Sequence, residues 1–238
     1  MKETEIVELE LFLVRHGESM GNAGIPAAEN GFHPDDPPLT EKGLLQARLL
    51  GAFYKSTPFD CILSSGLVRA AQTAAQVALQ QERPLKKLEV YPLLTECGMK
   101  PAFGFKSLQD LQAAISIAAP AVGVEDGENL VYCAEDEEDP QRYLRAQKTL
   151  CYLRSRFHCG ERVMAVGHAA FNTFLVFAAL GLGAQPGFDV AINNTGVTKI
   201  VFFKEGTGPY DEDVHLVFHN DHTHLAGRFD REWIDTVK

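Results

Sequence analysis

Three short apolar segments of this chain end at polar motifs, and this pattern constrains the fold more than any other feature. Leu9–Val14 stops at Arg15-His16-Gly17, Phe59–Ser64 runs into Ser64-Ser65, and Arg162–Val166 stops at Gly167-His168. Each has the length and residue types of a β-strand. Helical patterns separate them. Thr40 is placed to cap a helix whose apolar face is Leu44, Leu45, Leu49, Ala52 and Phe53. Leu67–Gln80 is alanine-rich and helical, and Ser107–Ala118 reads as a helix with Pro120 beyond it. Gln141–Phe157 is a longer helix carrying Arg142, Arg145, Arg154 and Arg156, and Phe171–Leu180 an apolar one stopped by Gly181. Two more strands are expected near Val197–Phe203 and Val214–Phe218, with loops at Gly31–Pro38 and over most of Pro92–Phe105.

Strands alternating with helices predict a three-layer α/β/α sandwich with a mostly parallel central sheet. The chain is read as one domain over residues 1–238, with a variable, lid-like insertion around 97–140. In open sheets of this kind ligands bind past the carboxyl ends of the strands. The three polar motifs are therefore expected to line one crevice.

Composition narrows what that crevice serves. The 238 residues carry a formal net charge of -10, which argues against nucleic acid or an anionic membrane as partner. A few arginines focused in a cleft can still bind a small anion. Much of the negative excess lies in Glu135–Asp139, read as a solvated loop leading into a helix. No apolar run reaches the about 20 residues that span a bilayer. The start, Met1-Lys2-Glu3-Thr4-Glu5, lacks the pattern of a secretory signal, so a cytoplasmic protein is expected. Cys61, Cys97, Cys133, Cys151 and Cys159 form no C-x-x-C pair, which supports neither a disulfide framework nor a cysteine zinc site.

A phosphate-ester site needs positive donors around three equatorial oxygens, an in-line nucleophile and a proton for the leaving oxygen. Arg15 offers a guanidinium that can fork onto two phosphate oxygens, His16 an imidazole nitrogen, Gly17 a close backbone turn, and Asn22 a side-chain amide. Taken alone, an Arg-His pair at a strand end is also an ordinary surface pair.

The larger set resembles the histidine phosphatase superfamily, with its phosphoglycerate-mutase-like fold. Arg15-His16-Gly17-Glu18-Ser19 with Asn22 resembles its signature, and Pro38–Gly43 the segment opening its first helix. Ser64–Ala74, containing Arg69, resembles its second phosphate-pocket motif, and Val166-Gly167-His168 its second histidine. Asn193-Asn194-Thr195 and Asn220 through Leu225 resemble its closing strands. The resemblance implies a phosphomonoesterase that needs no cofactor or metal and acts on a small phosphorylated substrate. His16 would be the nucleophile that becomes phosphohistidine. Arg15, Arg69 and His168 would clamp the phosphate with Asn22, and His168, protonated, would stabilise its charge. Without that set Arg69 would read as a helix-surface residue.

Glu96 occupies the family's place for the proton donor, although Met99–Gly104 departs from the usual continuation of that loop. Glu18, close to His16 in sequence, is the rival donor. Glu128 resembles a family glutamate that orders a helix start. After His168 the chain has Ala169-Ala170 where many members have glycines.

Alternatives stay open. A mutase shares the chemistry, but its Glu-Arg-His-Tyr-Gly stretch is Glu96-Cys97-Gly98-Met99-Lys100 here. A phosphoprotein phosphatase and a non-catalytic phosphate-binding module are further readings. His219, Asp221, His222 and His224 are weighed as a metal cluster and set aside. Phe103 and Phe105 could line a substrate wall or pack in the core. Lys100 and Lys106 read best as exposed loop lysines. The apolar helix carrying Phe171, Phe174, Phe177 and Leu180 should be buried on the sheet; exposed, it would be an interface, so a homo-oligomer also stays open.

Overall fold

Leu9, Leu11 and Leu13 alternate with Phe12 and Val14 along one strand, and both sets are buried. A strand that is apolar on both faces must be covered on both faces. In the computed structural model, which describes residues 5–104, 106–125, 127–185 and 187–226, that strand is β1 (Val7–Arg15), inside a seven-stranded sheet. The other strands are β2 (Cys61–Ser64), β3 (Leu88–Val90), β4 (Ala118–Pro120), β5 (Glu161–Gly167), β6 (Val197–Phe203) and β7 (Val214–Asp221). Their order is β4-β3-β2-β5-β1-β6-β7. The pairings from β4 to β1 are all parallel, while β6 runs antiparallel to both β1 and β7.

The helices are α1 (Glu41–Phe53), α2 (Val68–Gln80), α3 (Leu108–Ala114), α4 (Asp139–Arg156) and α5 (Ala169–Ala179). Phe12, Val14, Ile62, Val90, Met164 and Val166 pack with residues of α1, α2 and α3, among them Leu50, Ala71, Ala74 and Leu111. Leu9, Leu11, Leu13, Leu63, Val163 and Ala165 pack with residues of α4 and α5, including Leu150, Leu153, Phe171 and Phe177. The strands' two-residue alternation thus separates two cores, and each fully buried leucine contributes about 2 kcal/mol. Phe171, Phe174 and Phe177 are buried as the apolar pattern predicts.

Four details differ from the sequence-based expectation. The edge strand β4 and its neighbour β3 hold three residues each, too few to show a period of two. The helix expected over Ser107–Ala118 ends at Ala114, and Ala118–Pro120 pairs in parallel with Leu88–Val90. Residues 97–140 therefore supply an edge of the sheet as well as loops. Phe105 lies outside the described residues.

The fourth concerns α1. Thr40 does cap it, accepting from Gly43 N–H at 3.0 Å, but Leu45 and Phe53 are exposed while Gly43, Gln46, Ala47, Leu50 and Gly51 are buried. The helix turns its small residues inward because close approach outweighs apolar area there. A Cβ on Gly43 would stand 2.0 Å from the Glu18 carbonyl oxygen, and one on Gly17 would stand 2.6 Å from that of Gly43. Gly43→Ala must push α1 off the turn after β1. We expect a loss of about 1–3 kcal/mol, read as a lower urea midpoint with unchanged slope; an unchanged midpoint would show that the contact relaxes freely.

Candidate active site

Backbone pairing continues one residue past the strand ends. His16 N–H donates to Gly167 O at 3.0 Å and Ser65 N–H to Val166 O at 3.0 Å. Arg15 is in register with Gly167, so His16 and His168 leave neighbouring strands at the same height. Their rings meet edge to face with centroids 5.1 Å apart. His168 also forms the N-cap of α5, at the positive end of that helix.

His16 is 4% exposed. Its Nδ1 lies 2.6 Å from the Gly17 carbonyl oxygen, which can only accept, so Nδ1 carries the proton. Nε2 is left with its lone pair, and Arg69 Nε–H donates to it at 3.3 Å. Burial, then the Arg69 and Arg15 charges, hold the imidazole well below the usual histidine range. At neutral pH His16 is a neutral base whose Nε2 lone pair accepts from a cation, the Arg69 guanidinium.

Arg15 and Arg69 are both buried, and burial lowers both below the usual arginine range while the Glu96 carboxylate opposes that shift on each. Arg15 Nη1 donates to Ile192 O at 2.7 Å, and its Nε has no hydrogen-bond partner. Neither ring nitrogen of the fully buried His168 has one among the described residues. Buried donors without partners are costly, and a site for an anion is one reason to keep them. The family resemblance implies a protonated His168. Burial, Arg69, His16, Arg15 and Arg145 instead hold it well below the usual range. Its protonation therefore requires an added negative charge beside it.

Glu96 is half-buried in the loop after β3, and its Oε1 accepts from Cys97 N–H at 2.9 Å and Phe171 N–H at 3.1 Å. Glu18 is turned toward α1, where Thr40 Oγ1 donates to it and Lys42 Nζ pairs with it, both at 2.8 Å. Asn22 is exposed at the rim, and its Oδ1 accepts from Ser19 and from Asn194 Nδ2. Glu128 is exposed on a loop and caps nothing, because α4 starts only at Asp139.

Two supports have no signal in the sequence, and a third, Asn194, is flagged there only by the family resemblance. Asp36, in the proline-rich loop, accepts from Val68 N–H at the start of α2 and pairs with both Arg69 and Lys106. Lys106 is accordingly a nearly buried ion-pair partner, not an exposed loop lysine. Within the acidic run read as solvated, Glu137 is buried and forks onto Arg145. Asn194 Nδ2 donates to His16 O at 2.9 Å, and the next residue, Thr195, has a left-handed φ of 57°. A hydrophilic loop and an acidic run look solvated in sequence; only contacts across the fold reveal these pairings.

His224 lies behind that turn. Thr195 Oγ1–H donates to Asn194 O, so His224 Nε2–H donates to Thr195 Oγ1 at 2.9 Å. The neighbouring histidines are committed too, His219 to Thr198 Oγ1 and Ala191 O, and His222 to Asn220 O. No group of three or more His, Cys, Asp or Glu among the described residues could hold a metal ion.

Burial lowers His224 from 6.5 to about 4. A neutral buried histidine binds fewer protons than its unfolded counterpart, so its contribution to stability is full above pH 6.5 and falls away toward pH 4. At 1.36 kcal/mol per pH unit the loss is about 3 kcal/mol. Urea unfolding should show a fall in stability between pH 6.5 and 4 that flattens in His224→Gln; an equally steep fall in the variant would contradict this assignment.

Fold and side-chain cluster together define an open α/β sheet protein with two arginines and two neutral histidines gathered at the carboxyl end of its central strands. The family model of the histidine phosphatase superfamily (branch 1) matches residues 11–209, and the chain belongs to that superfamily. The adenosylcobalamin/alpha-ribazole phosphatase of Escherichia coli (strain K12) is 35% identical over 185 residues, covering 74% of this chain and 82% of that protein. Its Salmonella typhi counterpart is 41% identical, but over 76 residues, 32% of this chain and 36% of that protein. The crystal structure of phosphoglycerate mutase from Bacillus anthracis str. Sterne shares the fold, with TM-score 0.61 and 22% identity over 94% of this chain and 97% of that one.

Proposed function

We propose that this chain is a phosphomonoesterase that hydrolyses a small phosphorylated metabolite through a phosphohistidine at Nε2 of His16. The observation that carries this reading is the fixed tautomer of His16, whose Nε2 lone pair faces a guanidinium. A phosphate drawn in by Arg15 and Arg69 would place phosphorus on that lone pair. Its negative charge would offset the arginines that keep His168 neutral, so His168 would gain a proton and donate to a phosphoryl oxygen.

The steps balance without a metal. Nε2 attacks phosphorus as the ester P–O bond breaks, and Glu96, which takes up a proton when the phosphate's negative charge enters beside it, gives that proton to the leaving oxygen. Water then attacks the phosphohistidine and gives a proton back to Glu96. The P–N bond breaks, leaving inorganic phosphate and neutral His16. Glu96 suits this role better than Glu18, which is engaged with Thr40 and Lys42. Asn22 at the rim would orient a phosphate oxygen.

The relatives support phosphate chemistry on small molecules, since one is a phosphatase and another a mutase. Five free thiols suit a reducing compartment, consistent with a cytoplasmic enzyme. The test is a panel of phosphorylated metabolites assayed with EDTA present. Free phosphate should be released from at least one member. Transfer to a second substrate hydroxyl, with none released to water, would make the chain a mutase; turnover abolished by EDTA would contradict the metal-free steps.

A further inference from the structure

Arg145, in the second turn of α4, is 3% exposed. Its charge acts on His168, but among the described residues its side-chain hydrogen bonds go to Glu137, Leu93, Thr95 and Cys97, not to Arg15, His16, Arg69 or His168. Its Nε and Nη2 fork onto the Glu137 carboxylate at 2.6 and 2.8 Å. Its Nη1 donates to the carbonyls of Thr95 at 2.6 Å and Leu93 at 3.0 Å. Its Cζ stands 3.8 Å from the ring centre of Phe171.

Two of these partners, Thr95 and Phe171, adjoin Glu96 directly. Thr95 is the residue before it, and Phe171 supplies the N–H that holds its carboxylate. Thr95 Oγ1 also accepts from Tyr132 N–H, and the Tyr132 ring lies 4.8 Å from Arg145 Cζ. One guanidinium thus fastens the Glu96 loop, the 130s segment and the first turn of α5 together. Stability alone gives weak reason for the arrangement, because a buried ion pair often contributes no more than apolar side chains of the same volume.

We infer that Arg145, oriented by Glu137, is a positioning residue for Glu96. It fixes the backbone of the Glu96 loop against α5 so that the carboxyl meets the leaving oxygen. This rests on the reading of Glu96 as proton donor. An ester with a poor leaving group depends on that proton, whereas p-nitrophenolate leaves with little help. Displacing the donor should therefore slow an alkyl phosphate selectively.

The test compares p-nitrophenyl phosphate with glycerol 2-phosphate on the full chain, using Glu96→Gln, Arg145→Met, Arg145→Met/Glu137→Met and Arg145→Met/Glu96→Gln. The double apolar variant removes the charge pair together, so it keeps the fold if Arg145→Met does not. Glu96→Gln should lower kcat/KM on the alkyl ester about 100-fold, and the Arg145 variants about 10- to 100-fold; kcat/KM reports formation of the phosphohistidine, before the water step that also uses Glu96. The aryl ester should lose much less. Arg145→Met/Glu96→Gln should be no slower than Glu96→Gln alone. Equal losses on both esters in the Arg145 variants, or an effect that multiplies with Glu96→Gln, would overturn the positioning role alone. If Glu96→Gln shows no preference between the esters, the proton-donor reading falls and the positioning role falls with it.

Discussion

Alanine in place of His16 is expected to lower kcat for a small aryl phosphate by on the order of 10⁴-fold or more, because no other group can take the nucleophile's place. The nearest imidazole, His168, is N-cap of α5 and leaves a different strand, so it cannot meet phosphorus from the same direction. The fold should survive. The backbone bond from residue 16 to Gly167 does not involve the side chain, and among the described residues the imidazole hydrogen-bonds only with Gly17 O and Arg69. Turnover within tenfold of wild type in a folded His16→Ala protein would contradict the account. Turnover that is lost together with the thermal transition would instead make His16 a structural residue.

Lysine in place of Arg69 is expected to cost about 10²- to 10³-fold in kcat/KM although the charge is kept. The guanidinium does several things that an ammonium cannot do at once. Its Nε faces His16 Nε2 at 3.3 Å, its Nη1 reaches Asp35 O at 3.4 Å, and Asp36 stands 4.0 Å away. A planar fork held in this way presents a fixed pair of donors to a phosphate, whereas lysine offers a mobile point charge. Steady-state kinetics on the wild type and Arg69→Lys decide it. If lysine retains more than about a tenth of kcat/KM, positive charge suffices and fork geometry carries little.

The frame of the site is legible in the sequence because strands announce themselves. Leu9–Val14 and Arg162–Val166 are apolar on both faces, and the residues just past such a strand land at the ligand-binding edge of the sheet. Strand ends alone point to Arg15, His16 and His168, whereas Arg69 needs the family resemblance to lift it off a helix surface. The supports stay hidden because each belongs to a contact that reaches across the fold to residues distant in sequence. Asp36 meets Lys106 across 70 residues, and Glu137 meets an arginine that itself holds carbonyls some 50 residues away. Hydropathy reads such residues as solvated. The inward face of α1 escapes an apolar pattern because leucine outweighs glycine there, although glycine is what lets the helix approach Glu18.

The central claim is that a phosphoryl group passes through Nε2 of His16. Quenching the enzyme into alkali during turnover of p-nitrophenyl phosphate preserves phosphohistidine, which acid would destroy. Peptide mass analysis should find one HPO3 unit on the peptide carrying His16, absent from His16→Ala and lost after acid treatment. Steady turnover with no modified peptide, together with hydrolysis persisting in His16→Ala, would contradict it.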